Sequence, residues 1–510
     1  MENIKSYQVI HSLVLSLTAD EKRIAKQYLL AFDKKKREYI PKIILLFNHI
    51  IINQYEKKPP FEHLYPSKNK AAFQLLCYHL RNKVLESLIL EVNTNRPGYT
   101  SPIGKADIEC NKMLMQARLC FSKAQSKLAV SLLNTLISKG RKNEIYPIVI
   151  EGLYLKKRVL NVRYGSKNSL KLQQQIQRYE NRRDAGHQIM ELKNQFQNLS
   201  GFSKSISMKL IAFEKEIENI EQKYKENLTP KLEYNFLFLK MNYYQSIMQY
   251  ETSNNYCLQM QKLIDTHKHL YKETTEGGLL LNQAHNYTFM GNFKKSLINA
   301  KKANNFFNQG SFNYLILQKT TFYALYYQAK FTEAYTIAQT NKILPQDQKT
   351  IYQQSQWEYF LAVCHFNKQE YKQVQKLLNE IQEIKKDTEG WNFSVRLLNF
   401  ACSVELKDWD TGDIQIDALR NLYYRKQGLG VRTNTIIKIL MGLEYSYNFK
   451  EVFAKYKKEL EKLKTAKGWY KLKMQTPELF IFQQWFYSKI EEQPYQPDYS
   501  TLITKQDQHL

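Results

Sequence analysis

Residues 280–303 read LLNQAHNYTFMGNFKKSLINAKKA. Two runs with helical spacing meet at a short break, Met290-Gly291-Asn292, and an aromatic residue, Phe293, opens the second run. Ser296 follows three later, and Ala284 lies nine before. These are positions where two antiparallel helices touch, so they must be small or apolar. The same arrangement repeats around Tyr256, Phe331, Tyr371 and Trp409, giving steps of 37, 38, 40 and 38 residues. The residue nine before the aromatic is in turn Ile247, Ala284, Phe322, Ala362 and Phe400. Ala334 and Val374 take the place of Ser296, with Gln259 and Gly412 less typical. One helix pair cannot bury its own apolar face, whereas stacked pairs bury a continuous core.

This pattern resembles the tetratricopeptide repeat family. In the unit 280–303, Ala284, Tyr287, Gly291, Phe293, Ser296, Ala300 and Ala303 stand where that family places its small and aromatic signature residues. The Phe331 unit adds Ala334, Ala338 and Pro345, and a weaker unit runs from Ala117 to Leu133 with Ala117 and Ala129 as the small pair. The spacing exceeds the family's usual period of about 34, so helices or turns are longer here. The resemblance implies an all-α fold, an α-α superhelix or TPR-like solenoid of antiparallel helix pairs. It also implies which first-helix positions face a ligand groove. Projected onto this chain they are Tyr244, Met248, His285, Lys319, Tyr323, Tyr326, Tyr327, Tyr359 and Asn367. Tyrosine suits recognition because it offers a large area and a polar tip at low entropy cost. The family's carboxylate clamp is not reproduced, which argues against binding of chaperone tails.

Outward from the repeats at 231–430, the chain divides further. Residues 1–93 read as an N-terminal helical block. Thr18 and Glu21 form a capping box before a helix to about Phe32, and the basic run Lys34–Arg37 follows. Leu76, Leu80, Val84 and Leu88 make one apolar stripe. Residues 94–105, with Arg96-Pro97-Gly98 and Ser101-Pro102, read as a linker. Residues 106–230 read as helical hairpins that include long polar helices, with Leu210, Phe213, Ile217 and Ile220 in helical spacing and a break near Ser200-Gly201-Phe202. Residues 431–490 read as capping helices, and 491–510, with Pro494 and Pro497, as a flexible tail.

Composition agrees with an all-helical chain. Among 510 residues there are 17 Gly and 12 Pro. That is scarce against averages of roughly 7% and 5%, and argues against β-sandwiches and Pro/Gly-rich disorder. The six cysteines include no C-x-x-C pair and read as small core residues in a reducing, cytoplasmic setting. The first apolar stretch, Val9–Leu17, has neither a basic flank nor a cleavage site. The most apolar stretch, 40–52, carries Lys42, Asn48 and His49. It is shorter than the roughly 20 residues of a spanning helix, so no membrane insertion is expected.

The net charge is +27, and two thirds of the excess lies in residues 1–200. A field of that size attracts anionic partners, although a lysine-rich solvated surface gives the same count. The basic stretch 139–183 contains Arg141, Lys142, Lys156, Lys157, Arg158, Arg163, Arg178, Arg182 and Arg183, with Tyr154, Tyr164 and Tyr179 interleaved. Phosphate contacts beside aromatic rings would suit nucleic acid, yet no recognised nucleic-acid module accompanies them.

No constellation for chemistry emerges. Phosphate-cradling and nucleophile-elbow glycine motifs are absent from the sequence, and Gly428-Leu429-Gly430 follows no strand. His267 and His269 are spaced i,i+2, which does not share a helix face. Cys364 and His365 would point to different faces. Asp408, Asp410 and Asp413 sit at a predicted helix start, where carboxylates cap free N–H groups. No catalytic residue, metal or cofactor is expected. Two readings stand. The first is a non-catalytic scaffold binding a protein or peptide along the aromatic groove. The alternative is a nucleic-acid-associated regulator using Lys156, Lys157, Arg158, Arg163, Arg178, Arg182 and Arg183.

Overall fold

The computed structural model describes residues 5–31, 41–53, 59–65, 69–91, 102–165, 169–197, 204–225, 228–344, 351–383, 390–425, 430–444, 446–464 and 478–499. The run Lys34–Arg37, residues 94–101, Ser200–Phe202, Pro345, Gly428, Leu429 and residues 500–510 lie outside them, as do the side chains of Tyr164 and Leu210. All regular structure among the described residues is helical. The chain forms two compact units, 1–100 and 101–510.

The first unit holds α1 (Lys5–Ser16), α2 (Ala19–Ala31), α3 (Lys42–Ile52), α4 (Phe61–Leu64) and α5 (Lys70–Glu91). The predicted capping box opens α2. Thr18 N–H donates to Glu21 Oε2 at 2.8 Å, and Glu21 N–H donates to Thr18 Oγ1 at 3.3 Å. The α5 stripe faces the core. Leu80 and Val84 are fully buried there among Tyr7, Ile10, Phe47 and Phe73, with Leu76 and Leu88 at its edge.

The second unit begins with α6 (Pro102–Ser122), α7 (Ser126–Lys142), α8 (Tyr146–Tyr164), α9 (Ser169–Gln197) and α10 (Lys204–Tyr224). The repeats follow as pairs: α11 (Pro230–Ser246) with α12 (Tyr250–Thr266), α13 (Glu273–Phe289) with α14 (Phe293–Ala303), α15 (Phe312–Tyr326) with α16 (Phe331–Lys342), α17 (Ile351–Asn367) with α18 (Tyr371–Glu380), and α19 (Trp391–Leu406) with α20 (Trp409–Arg425). Each helix packs on its neighbours in sequence, and first helices of successive pairs also touch, as α13 does α15 and α17 does α19. This is a TPR-like helical repeat. The unit ends with α21 (Val431–Met441), α22 (Phe449–Lys455), α23 (Lys457–Lys462) and α24 (Phe482–Ile490).

A single turn design joins the pairs. In each, one left-handed residue stands two positions before the next helix: Ala124, Glu144, Met248, Gly291, Ala329, Gln369 and Lys407, with φ between 54° and 75°. The following N–H reaches back five residues in a Schellman closure, as from Asn292 to Tyr287 O at 2.8 Å and from Lys330 to Leu325 O at 3.0 Å. Glycine is the residue best suited to that conformation, yet only one of these seven turns uses it.

The contact positions read from the sequence are the inter-helix seams. Ala284, Phe322, Ala362 and Phe400 are fully buried, as are Ser296, Ala334 and Val374. Gly412 is buried too, because the Tyr447 ring lies where a Cβ would project. The first repeat corrects the alignment. Its second helix opens at Tyr250, and Tyr256 lies inside α12. The equivalent seam residues are therefore Met241 and Ser253, both fully buried, in place of Ile247 and Gln259. The extra length is the connector between α12 and α13, which contains a 3-10 turn at Lys268–Leu270. That insertion breaks the constant period of the later repeats.

Candidate ligand groove

The nine projected groove residues fall into two groups. Tyr323 and Tyr326 are fully buried, and Tyr327, Tyr359 and His285 nearly so. Tyr323 stacks on Tyr327 at 5.8 Å and tilts against Phe289 at 5.9 Å. His285 lies against Phe289 at 4.8 Å and Tyr250 at 5.9 Å, and burial pushes its pKa down to about 4. Tyr244, Met248, Lys319 and Asn367 are half-buried. Tyr244 stacks on Tyr256 at 5.5 Å, Met248 is the left-handed residue of the α11–α12 turn, and Lys319 donates to Gln356 Oε1.

Tyr326, Tyr327, Tyr359 and Asn367 share one face of the first helices, and the chain's own later segment covers part of it. Residues 478–481 run across α15 and α17, α24 follows, and 493–499 return as a strap outside any helix. Asn367 Nδ2 donates to Tyr326 Oη at 2.8 Å, and Tyr326 Oη donates to Leu479 O at 3.2 Å. Tyr499 Oη donates to the same carbonyl at 3.1 Å, and its ring lies 5.4 Å from Tyr326 and 5.2 Å from Tyr327. Burial holds the Tyr326 hydroxyl well above its ordinary pKa, so it stays a donor. Phe366 on α17 meets Phe480 at 5.2 Å and Tyr495 at 5.9 Å, and Tyr495 Oη accepts from Ile481 N–H at 3.1 Å. Gln484 then grips the strap through its main chain. Asp498 N–H donates to Gln484 Oε1 at 2.9 Å, and Gln484 Nε2 donates to Asp498 O at 3.0 Å.

Charged groups fasten the ends. Glu405 on α19 accepts from Trp485 Nε1 at 2.8 Å and pairs with Lys489 at 2.6 Å. Arg432 on α21 forks onto Glu478 and also reaches Gln483. Sequence reasoning missed this arrangement. The 491–510 stretch, expected as a flexible tail, is described as far as Tyr499, and its Tyr495 and Tyr499 are buried. The available signal was that tyrosine pair, spaced i,i+4 beside two prolines.

The basic residues are distributed differently. Lys157 donates to Gln173 at 2.8 Å, Arg158 lies over Phe121, and Arg183 pairs with Asp184 at 2.9 Å. Lys156 is half-buried, its pKa lowered by desolvation, and Arg163 is exposed. Arg178 and Arg182 instead meet Arg141 and Lys142 at one cavity. Histidines and carboxylates outside the groove have structural partners. His269 Nε2 and Glu144 Oε1 are 2.9 Å apart, His365 contacts Glu370, and Asp408 accepts from Thr411 N–H at 3.2 Å at the start of α20. Cys364 is fully buried, and burial pushes its thiol pKa up. Among the described residues no helix is long and apolar enough to cross a membrane.

No protein-family model matches the chain, and no curated protein does. Solved structures do resemble it. The apo form of RapI is 13% identical, covering 78% of this chain and 97% of its own, with a TM-score of 0.47. A Rap protein complexed with Competence and Sporulation Factor is 12% identical, covering 72% and 98%, with a TM-score of 0.46. NprR in complex with its cognate peptide NprX is 13% identical, covering 71% and 98%, with a TM-score of 0.40.

Proposed function

We propose that this chain is a non-catalytic, regulatory helical-repeat protein of the cytoplasm. It binds an extended peptide or protein segment along the first-helix face that carries Tyr244, Met248, His285, Lys319, Tyr323, Tyr326, Tyr327, Tyr359 and Asn367. The observation that supports this reading is the strap. A stretch of chain outside any helix already lies on that face: Tyr499 packs on the rings of Tyr326 and Tyr327, and the Tyr326 hydroxyl donates to the main-chain carbonyl of Leu479. Such contacts recognise an extended backbone with aromatic anchors. The reading stands on this chain's own residues, independently of the ligands named for its structural neighbours.

Affinity capture from the lysate of the source organism tests it, with the full chain and with the double variant Tyr244→Ala, Met248→Ala. Both side chains are half-buried, and the fully buried seam residues Met241 and Ser253 are left in place. The expected result is a specific protein or peptide that survives nuclease and is lost with the variant. Recovery that ignores the variant, or that collapses with nuclease, would refute the reading.

A further inference from the structure

We propose that the cavity between the end of α7 and the middle of α9 binds a compact polyphosphate group, such as the phosphate tail of a nucleotide. The cavity measures about 480 Å³ and is lined by Ser138, Arg141, Lys142, Arg178, Tyr179 and Arg182. Four of these six side chains are cations and none is an acid. This site is separate from the groove and does not depend on the peptide reading.

Elsewhere in the same region cations meet carboxylates. Arg118 pairs with Glu151 at 2.6 Å, Lys139 with Glu109, and Arg183 with Asp184. Among the described residues no carboxylate pairs with Arg141, Lys142, Arg178 or Arg182. The acids close by are committed: Glu180 accepts from Tyr154 at 3.0 Å, and Glu144 holds Thr229, Lys231 N–H and His269 behind Tyr146. The dipole of α7 accounts for Arg141 and Lys142, which lie in its last turn. It does not account for Arg178 and Arg182, which stand in the interior of a 29-residue helix. Like charges at i,i+4 destabilise a helix, and facing two more cations adds to the cost. A bound anion removes it. One donor also points to a missing acceptor, since Arg182 Nε is buried without a hydrogen-bond partner.

The aromatic rings limit what the rest of the ligand can do. Tyr179 is covered by Tyr146, stacked at 5.7 Å, and by Arg141 and Arg182 at 5.9 and 5.8 Å. No face is left for a base to stack on. Recognition therefore goes through the phosphates, and affinity follows their number and ignores the base.

Calorimetric titration of the full chain with inorganic phosphate, pyrophosphate, tripolyphosphate, ATP and GTP tests this. Affinity should rise from phosphate to tripolyphosphate, with ATP and GTP equal to each other. The double variant Arg178→Gln, Arg182→Gln should weaken tripolyphosphate binding by about tenfold or more, the loss of charge-assisted hydrogen bonds. The control Lys301→Gln, Lys302→Gln removes the same charge from exposed positions on α14 and should bind normally. Failure of tripolyphosphate to bind would overturn the proposal, as would equal weakening by the control. Single-stranded oligonucleotides whose affinity grows steadily with length while tripolyphosphate binds no better than phosphate would overturn it in favour of an extended nucleic-acid surface.

Discussion

Replacing Tyr499 with alanine should release the strap while leaving the repeats folded. The ring is 3% exposed and lies on Tyr326 and Tyr327. Its removal forfeits about 2–3 kcal/mol of burial, and loss of the bond to Leu479 O about 1 kcal/mol more. The strap as a whole is close to balance. Burial of Tyr495 and Tyr499 contributes about 4–6 kcal/mol, and the hydrogen bonds of Tyr495, Asp498 and Tyr499 about 4 kcal/mol. Ordering residues 493–499 costs about 7–14 kcal/mol, reduced because Pro494 and Pro497 have little freedom to lose. A loss of about 3 kcal/mol lowers the docking equilibrium constant about a hundredfold, which takes a strap near balance to one almost wholly undocked. Hydrogen exchange read by mass spectrometry over residues 493–499 measures the shift. The variant should exchange there at loop rates, with the melting temperature nearly unchanged. Unaltered protection would refute the argument. So would a destabilisation as large as that of Trp485→Ala, about 3–5 kcal/mol for a fully buried ring, since the strap would then belong to the cooperative core.

Two further outcomes follow from buried polar groups. Glu144→Ala leaves Lys231 N–H, the Thr229 hydroxyl and His269 without their acceptor. It should cost about 3 kcal/mol in chemical denaturation, and a loss below about 1 kcal/mol would show that water substitutes for the carboxylate. His285 has a folded pKa near 4 against an ordinary 6.5. Its neutral form is the one that fits, so its contribution is complete above pH 6.5 and is lost as pH falls toward 4. The slope reaches at most about 1.4 kcal/mol per pH unit. His285→Phe should flatten the stability profile across that interval, and an unchanged slope would refute the assignment.

The parts of the fold legible in sequence were those fixed by side-chain contact. Phe293, Phe331, Tyr371 and Trp409 each open a helix as their spacing predicts. The turns were much less legible. Ala329, Gln369 and Lys407 adopt the left-handed conformation that Gly291 advertises, and nothing in their chemistry marks them. Their cost is met by the Schellman bonds and by the packing on either side. The six-residue shift at Tyr250 has the same origin, since that turn uses Met248. The strap was illegible for another reason. The rings it rests on, Tyr326 and Tyr327, lie more than a hundred residues from Tyr499, and no local period records a contact of that range.

The same segment sets an order of events during synthesis. Phe480, Phe482, Trp485 and Phe486 fill the core against α19 and α22, and every one is buried. While the ribosome is still making them, Phe366, Phe400 and Tyr326 lack the cover that Phe480, Trp485 and Tyr499 provide. A stalled or prematurely terminated product would carry a bare aromatic strip several helices long, the kind of surface that chaperones hold and that otherwise drives aggregation.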